Sequence, residues 1–545
     1  MCGIICLIQC QGKNIYLSDA YRCIGRLEKR GPDMSRCKLS RINEEIQMFI
    51  GFTRLAIMDT SEDGLQPFTD ELGNVVVCNG EIYNYIQLAN TYHIDLKSTC
   101  DCEILLPLFT QVGFDKMVST ELDAEFATII FCKEQNKIYA ARDRYGVRPL
   151  YYGYNRTTGM LGFASELKAL HSIMEFVEQV APNKIMTLDL NSSKNNDICS
   201  RITSQDYYSF DNIKPSLDVP DIDMVHSDIN SLLTEAVKKR LDSHRPIGFL
   251  LSGGLDSSLI VAIATRILGP ENIVCFSIGV DGSPDIEAAK KVVKYLGIDN
   301  HHIISFDIAQ ALSTLHSVIE AIETYDITTI RASTPQYIMA KYISEKTNIC
   351  VLLSGEGSDE IHGSYRYFRD APSPLEFHSE TIRLLKDLCY FDNQRTDRSM
   401  ACWGLEVRVP FLDFKYVKYI TELHPQLLMY KPDYMEKMVV RDSFKTYLPE
   451  EILYRSKEAF SDAVSSNEIN WAKSIQMVSN KKFTDEELKE NEFTINKPKT
   501  KDALYFRRIF DSIYPNRNNI IPYYWLPRFQ KEEVLDPSAR ILQCY

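Results

Sequence analysis

In residues 1–190 the apolar positions fall in short runs that alternate with polar ones or are rich in β-branched side chains. The runs at 49–57, 75–78, 127–131, 138–142 and 150–153 have the pattern of strands. Turn residues separate them at Gly64, Gly73-Asn74, 134–136 and 157–159. Strands punctuated in this way predict stacked antiparallel sheets, with a helix expected at 102–110. The polar stretch 191–197 and the segment 215–223, with two prolines and three aspartates, read as connector. The texture then changes. Ile229, Leu232, Leu233, Ala236 and Val237 recur at helical spacing. Strand 247–251, helix 258–268, strand 273–278, helix 286–296 and strand 350–353 follow. Strands alternating with helices predict a parallel sheet covered on both faces. From residue 379 the pattern is mostly helical, and the charged, proline-containing stretch 486–500 reads as a surface excursion. The expected architecture is an α+β sandwich of antiparallel sheets at 2–190, a connector at 191–226, and an α/β domain with a parallel sheet and a helical C-terminal part at 227–545.

Composition narrows the field. The 545 residues are 45% hydrophobic and 25% charged, which is ordinary for a soluble globular protein. With 61 basic and 74 acidic residues the net charge is −13, and no long Lys/Arg run is present. A grip on a phosphate backbone needs a basic surface, so nucleic acid is not an expected partner. No window approaches the ~18 apolar residues of a membrane-spanning helix, and no membrane partner is expected. The N-terminus has neither the pattern of a secretion signal nor that of a transit peptide. The 15 scattered cysteines then read as reduced thiols in a cytoplasmic compartment.

The chain begins Met-Cys-Gly-Ile-Ile. A small second residue allows Met1 to be removed, which gives Cys2 a free α-amine. A thiol of pKa about 8.5 and an amine of about 7.7–8.0 then share one residue. The amine can act as general base for its own side chain. Cys2, Cys6 and Cys10 are spaced C-x3-C-x3-C, which matches no usual zinc pattern and reads as a small apolar face. Further along come Lys29-Arg30-Gly31-Pro32-Asp33, Arg54-Leu55-Ala56-Ile57-Met58-Asp59, Asn79-Gly80-Glu81-Ile82-Tyr83-Asn84 directly after the strand at 75–78, and Asp101-Cys102-Glu103. With 141–146 and 164–170, this ordered set resembles the N-terminal-nucleophile glutamine amidotransferases over residues 2–190. The resemblance implies an N-terminal-nucleophile sandwich that hydrolyses glutamine. Cys2 would be the nucleophile, and the Asn79 side-chain amide and Gly80 backbone N–H would be the oxyanion donors. Arg54 would grip the α-carboxylate with its fork, Glu81 and Asp101 the α-ammonium, and Leu55, Ala56, Ile57 and Met58 would line the pocket.

In the second half the strand at 247–251 runs into Ser252-Gly253-Gly254-Leu255-Asp256-Ser257-Ser258 and a helix. Backbone N–H groups of a Gly-rich turn at a helix N-terminus cradle phosphate. The loop lacks the lysine of the P-loop, so kinase or GTPase chemistry is not supported. It resembles the PP-loop of enzymes that cleave ATP between the α and β phosphates. Leu353-Ser354-Gly355-Glu356-Gly357-Ser358-Asp359-Glu360 also follows a predicted strand, where ligands of open parallel sheets collect. Asp256 and Asp359 suit Mg²⁺, which takes few carboxylates and several phosphate or water oxygens. Residues 323–333, Arg395, 403–413, 457–462 and the tail motifs 523–527 and 536–540 complete a set that resembles glutamine-hydrolysing asparagine synthetase from 227 to the C-terminus.

That resemblance implies a two-step synthesis of asparagine. The β-carboxylate of aspartate attacks the α-phosphate of ATP, and ammonia then displaces AMP. Ammonia would cross between the two sites by an internal passage. Leu251 and Ile278 would flank the adenine or ribose. Ser252, Gly253, Gly254, Ser257, Ser354 and Gly355 would contact the nucleotide, and Lys457 would neutralise phosphate. Thr328, Thr329 and Arg331 would hold aspartate, and Glu356 would be the base that takes a proton from ammonia. ATP and Mg²⁺ are the expected cofactors, with small-molecule substrates as partners; a homodimer is left open. A β-lactam-forming relative and a PP-loop tRNA-modifying enzyme are the alternatives. The complete glutamine-pocket set argues against the first. The net charge and the lack of a C-x-x-C pair argue against the second.

Overall fold

The computed structural model describes residues 1–191, 198–432, 434–456, 470–530 and 534–537. The chain divides into two compact units. One comprises Met1–Ser209, Ser243–Arg245 and Ala401–Glu406; the other comprises Phe210–Asp242, Pro246–Met400 and Val407–Tyr545.

The first unit is a sandwich of two six-stranded sheets. One sheet runs in the order Phe176–Gln179, Tyr151–Asn155, Met160–Ala164, Gly3–Gln9, Ile46–Arg54, Met34–Asn43. The other runs Ile202–Asp206, Lys184–Asp189, Lys137–Arg142, Ala124–Cys132, Val75–Ile82, Phe68–Thr69. The pairings within both are antiparallel. Alternation along each strand sorts the side chains. Ile4, Cys6, Ile8, Ile50 and Phe52 meet Val75, Val77, Ala127, Ile129 and Ile138 in one core. Val76, Cys78, Ile130 and Ala141 point the other way and pack with Leu105, Leu106 and Leu108 of the helix Leu105–Val112. Cys6 and Cys10 lie free in the apolar core, as the sequence suggested.

Three local features differ from expectation. The helix expected at 102–110 is a 3₁₀ turn, Asp101–Ile104, followed by the helix Leu105–Val112. The strand expected to end at 78 continues to Ile82, so Asn79-Gly80-Glu81 lies within a strand, opposite Ala127, Phe126 and Glu125. Part of the connector is sheet, because Ile202–Asp206 pairs along Lys184–Asp189 as an edge strand.

The second unit is built on a five-stranded sheet in the order Asn300–Ser305, Val274–Gly279, Ile247–Leu250, Val351–Leu353, Glu406–Arg408. Its first four strands pair in parallel. The helices Leu255–Leu268, Pro284–Leu296 and Ile327–Lys346 lie among them in sequence, and Trp471–Lys482 and Lys501–Ile513 belong to the helical C-terminal part. The short helix Asp485–Lys489, closed by a capping box from Thr484 and Glu487, falls in the expected surface excursion. Among the described residues no helix is long and apolar enough to cross a membrane.

Candidate active site

In the first unit, Cys2 immediately precedes the strand Gly3–Gln9, whose pairing with Ile46–Arg54 and Met160–Ala164 fixes its position. The Cys2 backbone N–H donates to Asn79 Oδ1 at 2.9 Å, and Sγ lies 3.8 Å from the Leu55 carbonyl. With Oδ1 committed, the Asn79 Nδ2 is a buried donor without a partner among the described residues. An unsatisfied buried donor costs about 1–3 kcal/mol, and an oxyanion beside the thiol would satisfy it. Gly80 follows. A Cβ there would lie 2.2 Å from the Glu125 carbonyl oxygen and 2.6 Å from Phe126 Cα, so the strand pair admits no side chain. Burial pushes the Cys2 thiol up to about 11, against the pull of the nearby N-terminal charge. At neutral pH it is a thiol that needs a base.

The other expected glutamine-binding residues are buried. Glu81 and Asp101 are both buried, and Asp101 Oδ2 accepts from the Ile82 N–H at 2.6 Å. Leu55, Ala56, Ile57 and Met58 are buried in the turn after the strand Ile46–Arg54. Arg54 departs from the expected role. Its terminal nitrogens donate to the carbonyls of Met58, Asp59 and Ser61, so the fork anchors the turn that follows it. Gly64 makes room for that guanidinium; a Cβ there would lie 2.2 Å from it. Sequence reasoning gave the Arg30 loop no role. In the structure Arg30 Nε donates to the Cys2 carbonyl at 2.9 Å, while NH1 pairs with Glu166 at 2.7 Å. Arg30 therefore holds the backbone of Cys2.

In the second unit a cavity of about 240 Å³ is lined by Leu251, Ser252, Asp256, Ser257, Ile278, Thr328, Ser354, Gly355, Glu356 and Asp359. The helix Leu255–Leu268 starts at its edge, so N-terminal N–H groups and the positive end of the helix lie beside it. Gly253 takes φ +74°, and a Cβ there would lie 2.5 Å from Ala289 N; only glycine fits this turn. Gly254 opens onto a smaller adjoining cavity of about 80 Å³, also lined by Ser252, Asp256, Ser257, Lys437, Arg441 and Arg455. Glu356 stands at the wall of the larger cavity. One of its oxygens accepts from Gln336 Nε2 at 3.2 Å and the other from Arg395. Burial raises its pKa above the ordinary carboxylate range, with the Arg395 guanidinium pulling it back.

Two expected aspartate ligands are placed elsewhere. Arg331 is buried and pairs with Asp502 and Asp536, which uses both terminal nitrogens inside the fold. Thr329 is buried in the first turn of its helix, and its backbone N–H and hydroxyl both donate to the capping carboxylate of Asp326, the hydroxyl at 2.8 Å. Lys457 lies outside the described residues, as do 538–540 of the tail motif. Asp256 and Asp359 converge on one point, where Lys437 Nζ contacts both.

The family model described as glutamine amidotransferase domain matches residues 1–204. The one described as asparagine synthase matches 228–376 and 370–519. A protein of Acanthamoeba polyphaga mimivirus described as probable asparagine synthetase [glutamine-hydrolyzing] is 60% identical over 99% of this chain and 100% of its own. This chain belongs to the family of glutamine-hydrolysing asparagine synthetases. The asparagine synthetase [glutamine-hydrolyzing] of Gallus gallus is 38% identical, and that of Homo sapiens 36%, each over 100% of this chain and 99% of its own.

Within this synthetase-family chain, Lys437, Arg441, Arg455 and Gln336 are cavity residues that the sequence alone does not mark. Lys437 is 181 residues from Asp256 along the chain, so no local spacing marks it. Gln336 sits one residue after Pro335 in the helix Ile327–Lys346 and looks like an ordinary helix position until Glu356 is seen opposite it.

Proposed function

We propose that this chain makes L-asparagine from L-aspartate with ATP, using ammonia released from L-glutamine, and yields AMP, pyrophosphate and glutamate. The observation that carries the reading is the cavity where the loops 252–257 and 354–359 meet, with Glu356 at its wall.

In the first unit, removal of Met1 would free the Cys2 amine, which lies beside Asn79. That amine takes the thiol proton, the sulfur attacks the glutamine amide carbon, and the oxyanion is met by Asn79 Nδ2 and the Gly80 N–H. The amide nitrogen leaves as ammonia after taking a proton, and water then hydrolyses the thioester to glutamate. Arg54 shapes the pocket through the turn it anchors, and Glu81 and Asp101 supply the negative charge for an α-ammonium.

In the second unit, Leu251 and Ile278 offer apolar walls to the nucleoside, and Ser252, Ser257 and the helix N-terminus offer donors to phosphate. The smaller cavity, with Lys437, Arg441 and Arg455, fits the pyrophosphate end. The aspartate carboxylate attacks the α-phosphorus and pyrophosphate leaves, giving β-aspartyl-AMP. Thr328 lines this space beside Glu356. Ammonia then attacks the acyl carbon, Glu356 takes a proton from it, and AMP departs. Two carboxylates converging on one cation position fit Mg²⁺, and among the described residues no group of three or more such side chains forms a protein-only metal cage. Bound there, Mg²⁺ would neutralise charge on the phosphates.

The test is pyrophosphate release from ATP, measured with aspartate, with other amino acids and with RNA, and with glutamine or ammonium as nitrogen source. Release that requires aspartate, with asparagine formed from either nitrogen source, is expected. Release that requires RNA, or that ignores aspartate, would contradict the reading.

A further inference from the structure

Lys437 is 2% exposed, and its ammonium is fully engaged. Nζ lies 2.7 Å from each Asp256 carboxylate oxygen and 2.6 Å from Asp359 Oδ1. Three acceptors meet the three N–H donors of the group. Both carboxylates are also oriented by hydroxyls: Ser358 Oγ donates to Asp256 Oδ1 at 2.8 Å, and Ser364 Oγ to Asp359 Oδ1 at 2.5 Å. The Lys437 backbone is in the left-handed region, φ +58°, immediately before the helix Met438–Ser443. A non-glycine residue keeps that conformation only where its surroundings impose it. A buried cation therefore stands where the proposed function puts Mg²⁺.

We propose that Lys437 is the resident counter-ion of the metal position. In the nucleotide-free protein it holds Asp256 and Asp359 together and keeps a free divalent cation out. The metal then enters only with the nucleotide, whose phosphates give the ammonium a new partner in the smaller cavity that Lys437 lines. The charges favour this order. Two carboxylates and one ammonium leave one negative charge, too little to strip water from Mg²⁺, which dehydrates reluctantly. Removing the ammonium would leave two half-buried, facing carboxylates short of one positive charge at close range. The inference rests on the reading of Asp256 and Asp359 as metal ligands.

Mn²⁺ is the probe, with water-proton relaxation enhancement reporting the protein-bound ion. The wild-type chain should bind Mn²⁺ weakly alone and take up one ion when ATP is added. Lys437→Met should bind one Mn²⁺ without nucleotide, at least about tenfold more tightly than wild type, because the ion replaces the missing charge. Its thermal unfolding temperature should rise with Mn²⁺ more than that of wild type. The double variant Lys437→Met/Asp359→Asn should lose the gain in Mn²⁺ affinity. Equal Mn²⁺ affinity in wild type and Lys437→Met would overturn the counter-ion role while leaving the metal reading in place. So would a Lys437→Met chain that fails to fold even in Mn²⁺ beside a folded double variant. If the wild type with ATP takes up no protein-bound Mn²⁺, the metal reading falls and the proposal with it.

Discussion

Glu356 and Arg331 both meet opposite charge, and the difference in their surroundings separates chemistry from architecture. Glu356 faces the cavity, with Gln336 and Arg395 each holding one oxygen. A carboxylate held in this way is fixed in orientation and keeps lone pairs free to accept a proton. Glu356→Gln keeps the shape and removes the basicity, so asparagine formation should fall by roughly 10²–10⁴-fold, the usual contribution of a general base. ATP affinity should stay nearly unchanged. Single-turnover measurement of pyrophosphate and asparagine separates the half-reactions, and wild-type asparagine formation would make Glu356 a structural part of its loop. Arg331 instead faces Asp502 and Asp536, 171 and 205 residues away, in a buried ion-pair triad. Removing one partner of a buried ion pair typically costs about 3–5 kcal/mol. Arg331→Met should lower stability to urea by that order. The aspartate KM of the folded fraction should change little. A raised aspartate KM with undiminished stability would restore Arg331 to the substrate site. The motif made Arg331 legible as important, but its acidic partners are too distant in sequence to reveal why.

At the level of elements, the strand Val75–Ile82 shows what pattern can and cannot supply. Its apolar run is legible as far as residue 78, but the sequence sets Asn79-Gly80-Glu81 after the strand, since Asn-Gly is a common turn pair that gives no strand signal. The pairing with Ala124–Cys132 carries the strand on, and the missing side chain at Gly80 is what lets Phe126 approach. Gly80→Ala should force the two strands apart. Overpacking of this kind costs about 1–3 kcal/mol. Glutamate release should fall along with thermal stability, while ammonium-dependent synthesis at temperatures where the chain is folded should persist. Retained glutaminase activity at wild-type stability would contradict the close approach. The parallel sheet was more legible, since strand and helix alternate with turn residues between them. The loops at 252–257 and 354–359 follow adjacent strands, Ile247–Leu250 and Val351–Leu353, so sheet order alone brings them together. Lys437 and Gln336 reach the same cavities from other elements, and only the folded chain reveals them. The edge strand Ile202–Asp206 was missed because its residues are exposed or half-buried and carry no alternating apolar signal.

On the scale of the whole molecule, the change in pattern near residue 200 marks two kinds of sheet, and each proposed chemistry draws on residues of its own unit. Cys2, Asn79 and Gly80 belong to the first unit, and Asp256, Glu356 and Lys437 to the second. The central claim is that amide hydrolysis and carboxylate activation are separate reactions at separate sites. The most direct test is Cys2→Ala, with asparagine formation measured from glutamine and from ammonium in the same preparation. Synthesis from glutamine should be abolished, synthesis from ammonium should stay near the wild-type rate, and pyrophosphate release should still require aspartate. Equal loss of both activities in a folded Cys2→Ala chain would contradict that claim.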